Sequence, residues 1–161
     1  MCLTLAKRLG SLSGHPKMLT NQRRILVEWG DCDPAGIVYY PRYLAWFDDC
    51  TSALFASAGL PIQNLFKSHG IIGVPLVDVK ARFLAASTYG DELLAESTVT
   101  EFRGSSFVVR HNFLKEKALA VEGYEIRVWT GPDPKNPERM KSQKLPREVI
   151  ERFTSPPAPA T

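Results

Sequence analysis

Most of the familiar marks of a catalytic or cofactor-binding site are missing from this chain. Its three cysteines, Cys2, Cys32 and Cys50, are an odd number with no CxxC pair. That argues against a disulfide framework or a structural zinc site, and for a reducing compartment such as the cytoplasm. Only three histidines are present, His15, His69 and His111, and they are scattered. No two glycines stand two apart, so GxGxxG is absent, as are GxxxxGK, GxSxG and HExxH. No apolar run is long enough to span a bilayer, and the N-terminal segment lacks the apolar core of a secretory signal. A net charge of +3, from 20 Lys and Arg against 17 Asp and Glu, is too small to argue for a nucleic-acid partner and does not repel an anionic ligand. An enzyme built on this chain works with carboxylates, backbone amides or a lone side chain, and no metal or redox cofactor is expected.

What is present suits one domain with one core: 161 residues, 44% of them hydrophobic. Residues 1–20 contain no acid and read as a loose extension, with the patterned sequence beginning just after Met18. Residues 154–161 are rich in Pro and Ala and read as a disordered tail. Between them, residues 21–153 form the expected domain. Arg23 to Trp29 reads as a first strand, followed by the dense turn signal Gly30-Asp31-Cys32-Asp33-Pro34-Ala35-Gly36. With Pro41 at the first helical position, apolar residues at Tyr43, Trp46, Phe47, Cys50 and Leu54 predict a long helix stopped by Gly59 and Pro61. After a linker around Ile62 to Gly70, four segments alternate as strands: Val74 to Leu84, Glu92 to Phe102, Ser106 to Phe113 and Ala118 to Trp129. Short turns between successive strands predict an antiparallel meander, and one long helix against it makes an α+β architecture. Gly131 to Pro137 reads as a loop and Arg147 to Phe153 as a short last helix.

The block Glu28-Trp29-Gly30-Asp31-Cys32-Asp33-Pro34-Ala35-Gly36-Ile37-Val38-Tyr39-Tyr40-Pro41-Arg42-Tyr43 resembles the signature of the 4-hydroxybenzoyl-CoA thioesterase family. Gly59-Leu60-Pro61, Gly70 to Pro75, and Arg103 with Ser106 to His111 extend the resemblance over residues 22–130. It implies a hot-dog fold, an antiparallel sheet of about five strands wrapped around one long helix. It also implies hydrolysis of an acyl-CoA thioester to the free acid and coenzyme A. Coenzyme A is then part of the substrate. The family's active site lies at a dimer interface, so Asp33 and Asp48 are expected to come from different subunits of a homodimer or homotetramer.

The chemistry of the block fits that expectation. A thioester carbonyl needs an attacking group and a site for the developing oxyanion. With Pro41 opening the helix, the amides of Tyr39 and Tyr40 lie at its N-terminus, where they lack intrahelical acceptors and the helix dipole is positive. Asp33 precedes them in a tight turn. In the resembling family the matching Asp is the catalytic carboxylate, as nucleophile or as general base for water, and the amide matching Tyr40 is the oxyanion donor. Read without the resemblance, Asp-x-Asp-Pro is an ordinary turn capped by a carboxylate. Asp31 is read as the structural partner, the exchange of roles with Asp33 being left open, and Cys32 as a small buried residue.

The remaining candidates are weaker. Asp49 is expected to face solvent. Asp48 matches the family residue that bonds the substrate's phenolic hydroxyl, and a helix carboxylate, Asp48 or Asp49, does the catalysis in a second hot-dog solution. Val74 stands where the resembling enzyme has a hydroxyl, which leaves a short aliphatic or other acyl-CoA open as substrate. Trp46, with Phe47, Phe55 and Tyr43, is a candidate for lining an aryl pocket or for the core. Coenzyme A contacts are expected around Arg103, Ser105 and Ser106, with Arg110 contributing, although only Arg103 remains of the family's consecutive basic residues. A non-catalytic acyl-CoA-binding homo-oligomer is the alternative from another functional class.

Overall fold

The computed structural model describes residues 18–154; the rest of the expected extension and tail, residues 1–17 and 155–161, lies outside them. The first strand, β1 (Thr20–Leu26), begins earlier than its apolar pattern predicts. Met18 and Leu19 already pack on the core, and the Leu19 amide donates to Phe153 O at 2.8 Å. Trp29 leaves the strand for a 3-10 turn over Trp29–Asp31 and is 80% exposed. The short Asp31 side chain explains this, because it takes the Glu28 amide (2.8 Å) and bends the chain away from the ladder.

The long helix, α1 (Tyr40–Ser57), places Pro41 in its first turn, where a missing N–H costs no hydrogen bond. Gly59 ends it with φ +75°, a left-handed conformation that side chains with a Cβ adopt at a cost. Tyr43, Trp46, Phe47, Cys50, Thr51, Leu54 and Phe55 are its buried residues. Ile62 to Gly70 is not a plain linker: α2 (Ile62–Ser68) forms there, burying Leu65.

Five strands make the main sheet: β1, β2 (Leu76–Phe83), β3 (Glu92–Arg103), β4 (Ser106–Lys115) and β5 (Ala118–Val128). Its order is β1-β3-β4-β5-β2 and its pairings are antiparallel. Only β3, β4 and β5 therefore form the expected meander. β1 holds the edge beside β3, with Arg23 opposite Ala95, so β2 crosses to the far edge and pairs with β5, with Ala81 opposite Gly123. Gly131 to Pro137 is not a loop but most of a hairpin, β6 (Thr130–Asp133) and β7 (Asn136–Ser142). The chain closes with α3 (Arg147–Thr154), which buries Val149 and Phe153. No helix among the described residues is long and apolar enough to cross a membrane.

α1 lies on the inner face of the sheet, and its two halves enter different apolar clusters. Tyr43, Trp46, Phe47 and Cys50 pack with Ile25, Leu93, Phe113 and Val121. Leu54, Phe55 and Ala58 pack with Val99, Phe107, Trp129 and Phe153. The inner-face residues between these clusters are polar and buried: Thr51 on α1, Ser97 on β3, His111 on β4 and Glu125 on β5. At the same level the Phe47 ring stacks on His111, with centroids 4.8 Å apart.

Gly123 makes that stacking possible. A Cβ there would stand 2.3 Å from Phe47 Cζ, a distance the packed ring cannot relieve without moving α1. Gly123→Ala is expected to destabilise the fold by about 3 kcal/mol, read as a lower midpoint in urea unfolding; an unchanged midpoint would show that α1 is free to slide.

Candidate active site

The site begins in the turn before α1. Asp31 is buried: besides the Glu28 amide it accepts from Arg42 Nε at 2.7 Å, so both of its oxygens serve the turn. Asp33 is half-buried. Its Oδ1 accepts the Ala35 amide at 2.8 Å, its own amide donates to Ile37 O at 2.9 Å, and Gly36 closes the turn at φ +77°. Oδ2 stays outside this pattern. The geometry therefore gives Asp31 the structural task and puts Asp33 on the wall of a 350 Å³ cavity, together with Tyr40, Tyr43, Phe83 and Ser87.

One expected amide is already used. The Tyr39 N–H donates to Asp31 O at 2.8 Å, so it is not an oxyanion donor. The Tyr40 N–H is different. It is the first residue of α1, Pro41 has no amide, and among the described residues nothing accepts from Tyr40 N. A lone amide at the positive end of an 18-residue helix is suited to a developing negative charge.

A second cavity of 510 Å³ opens further along α1, lined by Asp48, Phe66, Val74, Met140 and Arg127 among others. Asp48 is eight residues from Tyr40, about 12 Å along the helix axis. Asp48 and Asp49 are both exposed, with side chains 69% and 56% accessible. Asp49 pairs with Arg23 at 3.4 Å, while Asp48 Oδ1 accepts from Arg127 Nη2 at 2.6 Å.

Arg127 is buried and leads back into the polar layer of the core. Its Nε and Nη2 donate to the two oxygens of Glu125, at 3.0 and 2.8 Å, and Nη1 donates to Val74 O at 3.3 Å. Glu125 also accepts from Thr51 Oγ1 at 2.6 Å and contacts His111 Nε2 at 3.3 Å. Ser97 Oγ stands 2.7 Å from His111 Nδ1. The Glu125 carboxylate can only accept, so His111 Nε2–H donates to it, and Nδ1 shares a hydrogen bond with the Ser97 hydroxyl. Burial alone would raise the Glu125 pKa, but His111, Arg127 and Thr51 outweigh it and hold the carboxyl down at about 2. Arg127 is raised: burial works against its charge, and the carboxylates of Glu125 and Asp48 overcome it.

Other candidates do not reach either cavity. Trp46 is a core residue, edge-to-face with Tyr43 at 5.2 Å, and lines neither the Asp33 nor the Asp48 cavity; a large aromatic on the buried face of α1 is claimed by packing. Arg103 is chelated by Glu101, at 2.8 and 2.7 Å, and Arg110 donates to Glu122 at 2.7 Å. Ser106 and Arg110 are four positions apart along β4, about 13 Å, so the four coenzyme A candidates, Arg103, Ser105, Ser106 and Arg110, do not form one cluster. Each arginine is already paired with a carboxylate. Cys32 is half-buried rather than buried, on the rim beside Asp33 and Trp29. Burial pushes the buried Cys50 thiol up to about 11, which leaves it protonated at neutral pH. Glu125 and Arg127 escaped the reading of the sequence, although Glu-x-Arg on the inner side of an apolar strand is a signal that two charges share one buried face.

Residues 27–153 match the model of the thioesterase-like superfamily. The chain belongs to that superfamily. It is a thioester hydrolase, and the expected hot-dog fold holds. The chain is 36% identical to the 4-hydroxybenzoyl-CoA thioesterase of Pseudomonas sp. (strain CBS-3), over 84% of this chain and 96% of that one. The solved structure of a 4-hydroxybenzoyl-CoA thioesterase from the same strain superposes with a TM-score of 0.76 at 34% identity, covering 83% of this chain and 98% of that one. A gentisyl-coenzyme A thioesterase superposes at 0.70 and 28% identity, over 83% and 98%. The 1,4-dihydroxy-2-naphthoyl-CoA hydrolase of Prochlorococcus marinus subsp. pastoris (strain CCMP1986 / NIES-2087 / MED4) is 29% identical over 73% of this chain and 81% of its own.

In this thioesterase-like chain His111, Arg127 and Thr51 hold the Glu125 carboxyl at about 2, below its ordinary 4.5. A depressed carboxyl stabilises the folded state at pH values above its unfolded pKa, and that contribution is lost as pH falls toward 2. Glu125→Gln is expected to be less stable at pH 7. Its urea-derived stability should also fall less than the wild type's between pH 5 and 2, by up to about 3 kcal/mol; parallel pH profiles would contradict the assignment.

Proposed function

We propose that the chain hydrolyses an aryl-CoA thioester, of the 4-hydroxybenzoyl-CoA kind, to the free aryl acid and coenzyme A. One observation carries the reading: Tyr40, whose amide at the start of α1 is unshared, and Asp33 line the same cavity. The named activities of three relatives, on 4-hydroxybenzoyl-, gentisyl- and dihydroxynaphthoyl-CoA, support an aryl acyl group. Coenzyme A enters and leaves as part of the substrate.

The mechanism follows from the two groups. The thioester oxygen accepts the Tyr40 N–H, so charge moving onto it during attack meets a donor already in place. Asp33, held through Oδ1 by Ala35, presents its other oxygen to the carbonyl carbon. It acts either as nucleophile, displacing the coenzyme A thiolate and leaving an anhydride for water to cleave, or as base for an attacking water. Both routes end in the aryl carboxylate and free thiol.

The site is completed by a second copy of the chain. β2 is an edge strand, and Leu76, Val77, Phe83 and neighbouring Leu84 are exposed along it. An apolar open edge of this kind is a template for pairing. A homodimer closed through β2 covers it and sets the Asp33 cavity of one copy against the Asp48 cavity of the other. Within one copy the 12 Å or so from Tyr40 to Asp48 along α1 is more than a single aromatic ring bridges. The free thiols of Cys32 and Cys50 support a reducing compartment such as the cytoplasm.

Free-thiol release from 4-hydroxybenzoyl-, benzoyl-, phenylacetyl- and short aliphatic CoA esters tests the reading. Turnover is expected to be fastest for an aryl member, and Asp33→Asn is expected to lose about 10²–10⁴ in kcat while keeping its fold. A folded Asp33→Asn with near-full turnover removes Asp33 from the chemistry. Binding of acyl-CoA without hydrolysis by the wild type replaces the enzyme with a binding module.

A further inference from the structure

We propose that Arg127 is the specificity-determining positioning residue of the acyl pocket. It holds the Asp48 carboxylate in place, so that the pocket selects aryl groups carrying a hydrogen-bond donor at the end remote from the thioester. This inference rests on the aryl-CoA reading and deepens it.

A guanidinium carries five N–H groups and no acceptor. In Arg127 four are used: Nε to Glu125, Nη2 to both Glu125 and Asp48, and Nη1 to Val74 O. One buried side chain thereby joins two residues of the pocket lining, Asp48 on the helix and Val74 on the wall, to the core carboxylate of Glu125. Little donor capacity is left for an anionic substituent on the substrate, so Arg127 is not itself the ligand receptor. Its effect on substrate passes through Asp48.

Asp48 needs such a partner. Its side chain is 69% accessible, and on its own it would sample several rotamers in water. Arg127 takes Oδ1 alone, leaving Oδ2 outside the pair and on a residue that lines the cavity. The guanidinium cannot swing away to follow it, because the fork on Glu125 is bidentate. Glu125 is in turn held by Thr51 and His111. The charges along this line are negative, positive, negative, so the cavity end carries a fixed acceptor. A phenolic hydroxyl satisfies it, an unsubstituted ring leaves it unpaired, and a carboxylate is repelled. Val74 presents an apolar side chain to the same cavity, which gives the ring a contact and the hydroxyl no alternative partner at that position.

The experiment compares 4-hydroxybenzoyl-CoA with benzoyl-CoA, substrates that differ by one hydroxyl, on the full chain. The wild type is expected to prefer the hydroxylated ester by about tenfold or more in kcat/KM. Arg127→Met is expected to erase most of that preference: kcat/KM for the hydroxylated ester falls, through a higher KM, by a larger factor than kcat/KM for benzoyl-CoA. Arg127→Lys keeps a buried cation beside Glu125 but cannot reproduce the fork. It should retain an intermediate preference, and it carries the test where Arg127→Met does not fold. Two outcomes overturn the inference: both substrates losing activity together, which marks Arg127 as merely structural, or a folded variant that keeps the full preference. The parent reading fails separately, in the wild type. Hydrolysis of neither ester removes the aryl-CoA thioesterase, and equal hydrolysis of both removes the hydroxyl contact at Asp48, with Arg127's role in either case.

Discussion

Glu125 puts a carboxylate inside the core, where an uncompensated charge costs several kcal/mol. Its partners therefore have to be in place for the chain to fold as it does. Thr51 reaches it from α1, His111 from β4 and Arg127 from two residues along β5. The helix is thereby tied at one depth to two neighbouring strands. Apolar packing alone would fix this less sharply, since the clusters on either side of the polar layer are both built of interchangeable aromatic and aliphatic contacts. The same carboxylate extends to the surface through Arg127 and ends at Asp48. What orders the core also orders one wall of the pocket.

The two ends of α1 divide the work. Its N-terminus supplies the unshared Tyr40 amide, and the turn before it supplies Asp33, held by a buried Asp31 that occupies Arg42 and the Glu28 amide. Its middle supplies Asp48, placed by the core. In the proposed composite site the reacting carbonyl and the far end of the acyl group are served by different cavities, so neither half suffices by itself. In the proposed dimer the apolar β2 edge is where the two copies meet and bring unlike halves together.

The motif before α1 was legible because its chemistry is local. Glycine at a left-handed position, two short carboxylates and a proline at a helix start each constrain a few residues, and Asp33 and Tyr40 fell where that reading put them. The helix and most strand bounds followed from periodicity. Sheet order did not, because alternation reveals which face is buried and not which strand is the neighbour; β2 crosses to β5 instead of pairing with β3. The β6–β7 hairpin was hidden by its glycine and prolines. By sequence Tyr39 is an equal candidate for oxyanion donor, yet its amide closes onto Asp31 O, a contact eight residues back that no spacing rule reveals. Trp46 and the spread of Arg103 and Arg110 illustrate the same limit: residue type suggests a task, and tertiary neighbours decide it. Glu125 and Arg127 are the reverse case, since charges in a strand read as a solvated face until the fold shows they share the core.

The central claim is that catalysis needs Asp33 from one copy and Asp48 from another. Co-expressed, differently tagged Asp33→Asn and Asp48→Asn chains, purified as mixed dimers, test it most directly. In a composite site one of the two sites of the mixed dimer receives both native carboxylates and the other receives neither. The account predicts that mixing restores about half of wild-type kcat/KM for 4-hydroxybenzoyl-CoA, from parents that are each impaired. Mixed dimers no more active than their parents would place both residues in one chain's site and contradict it.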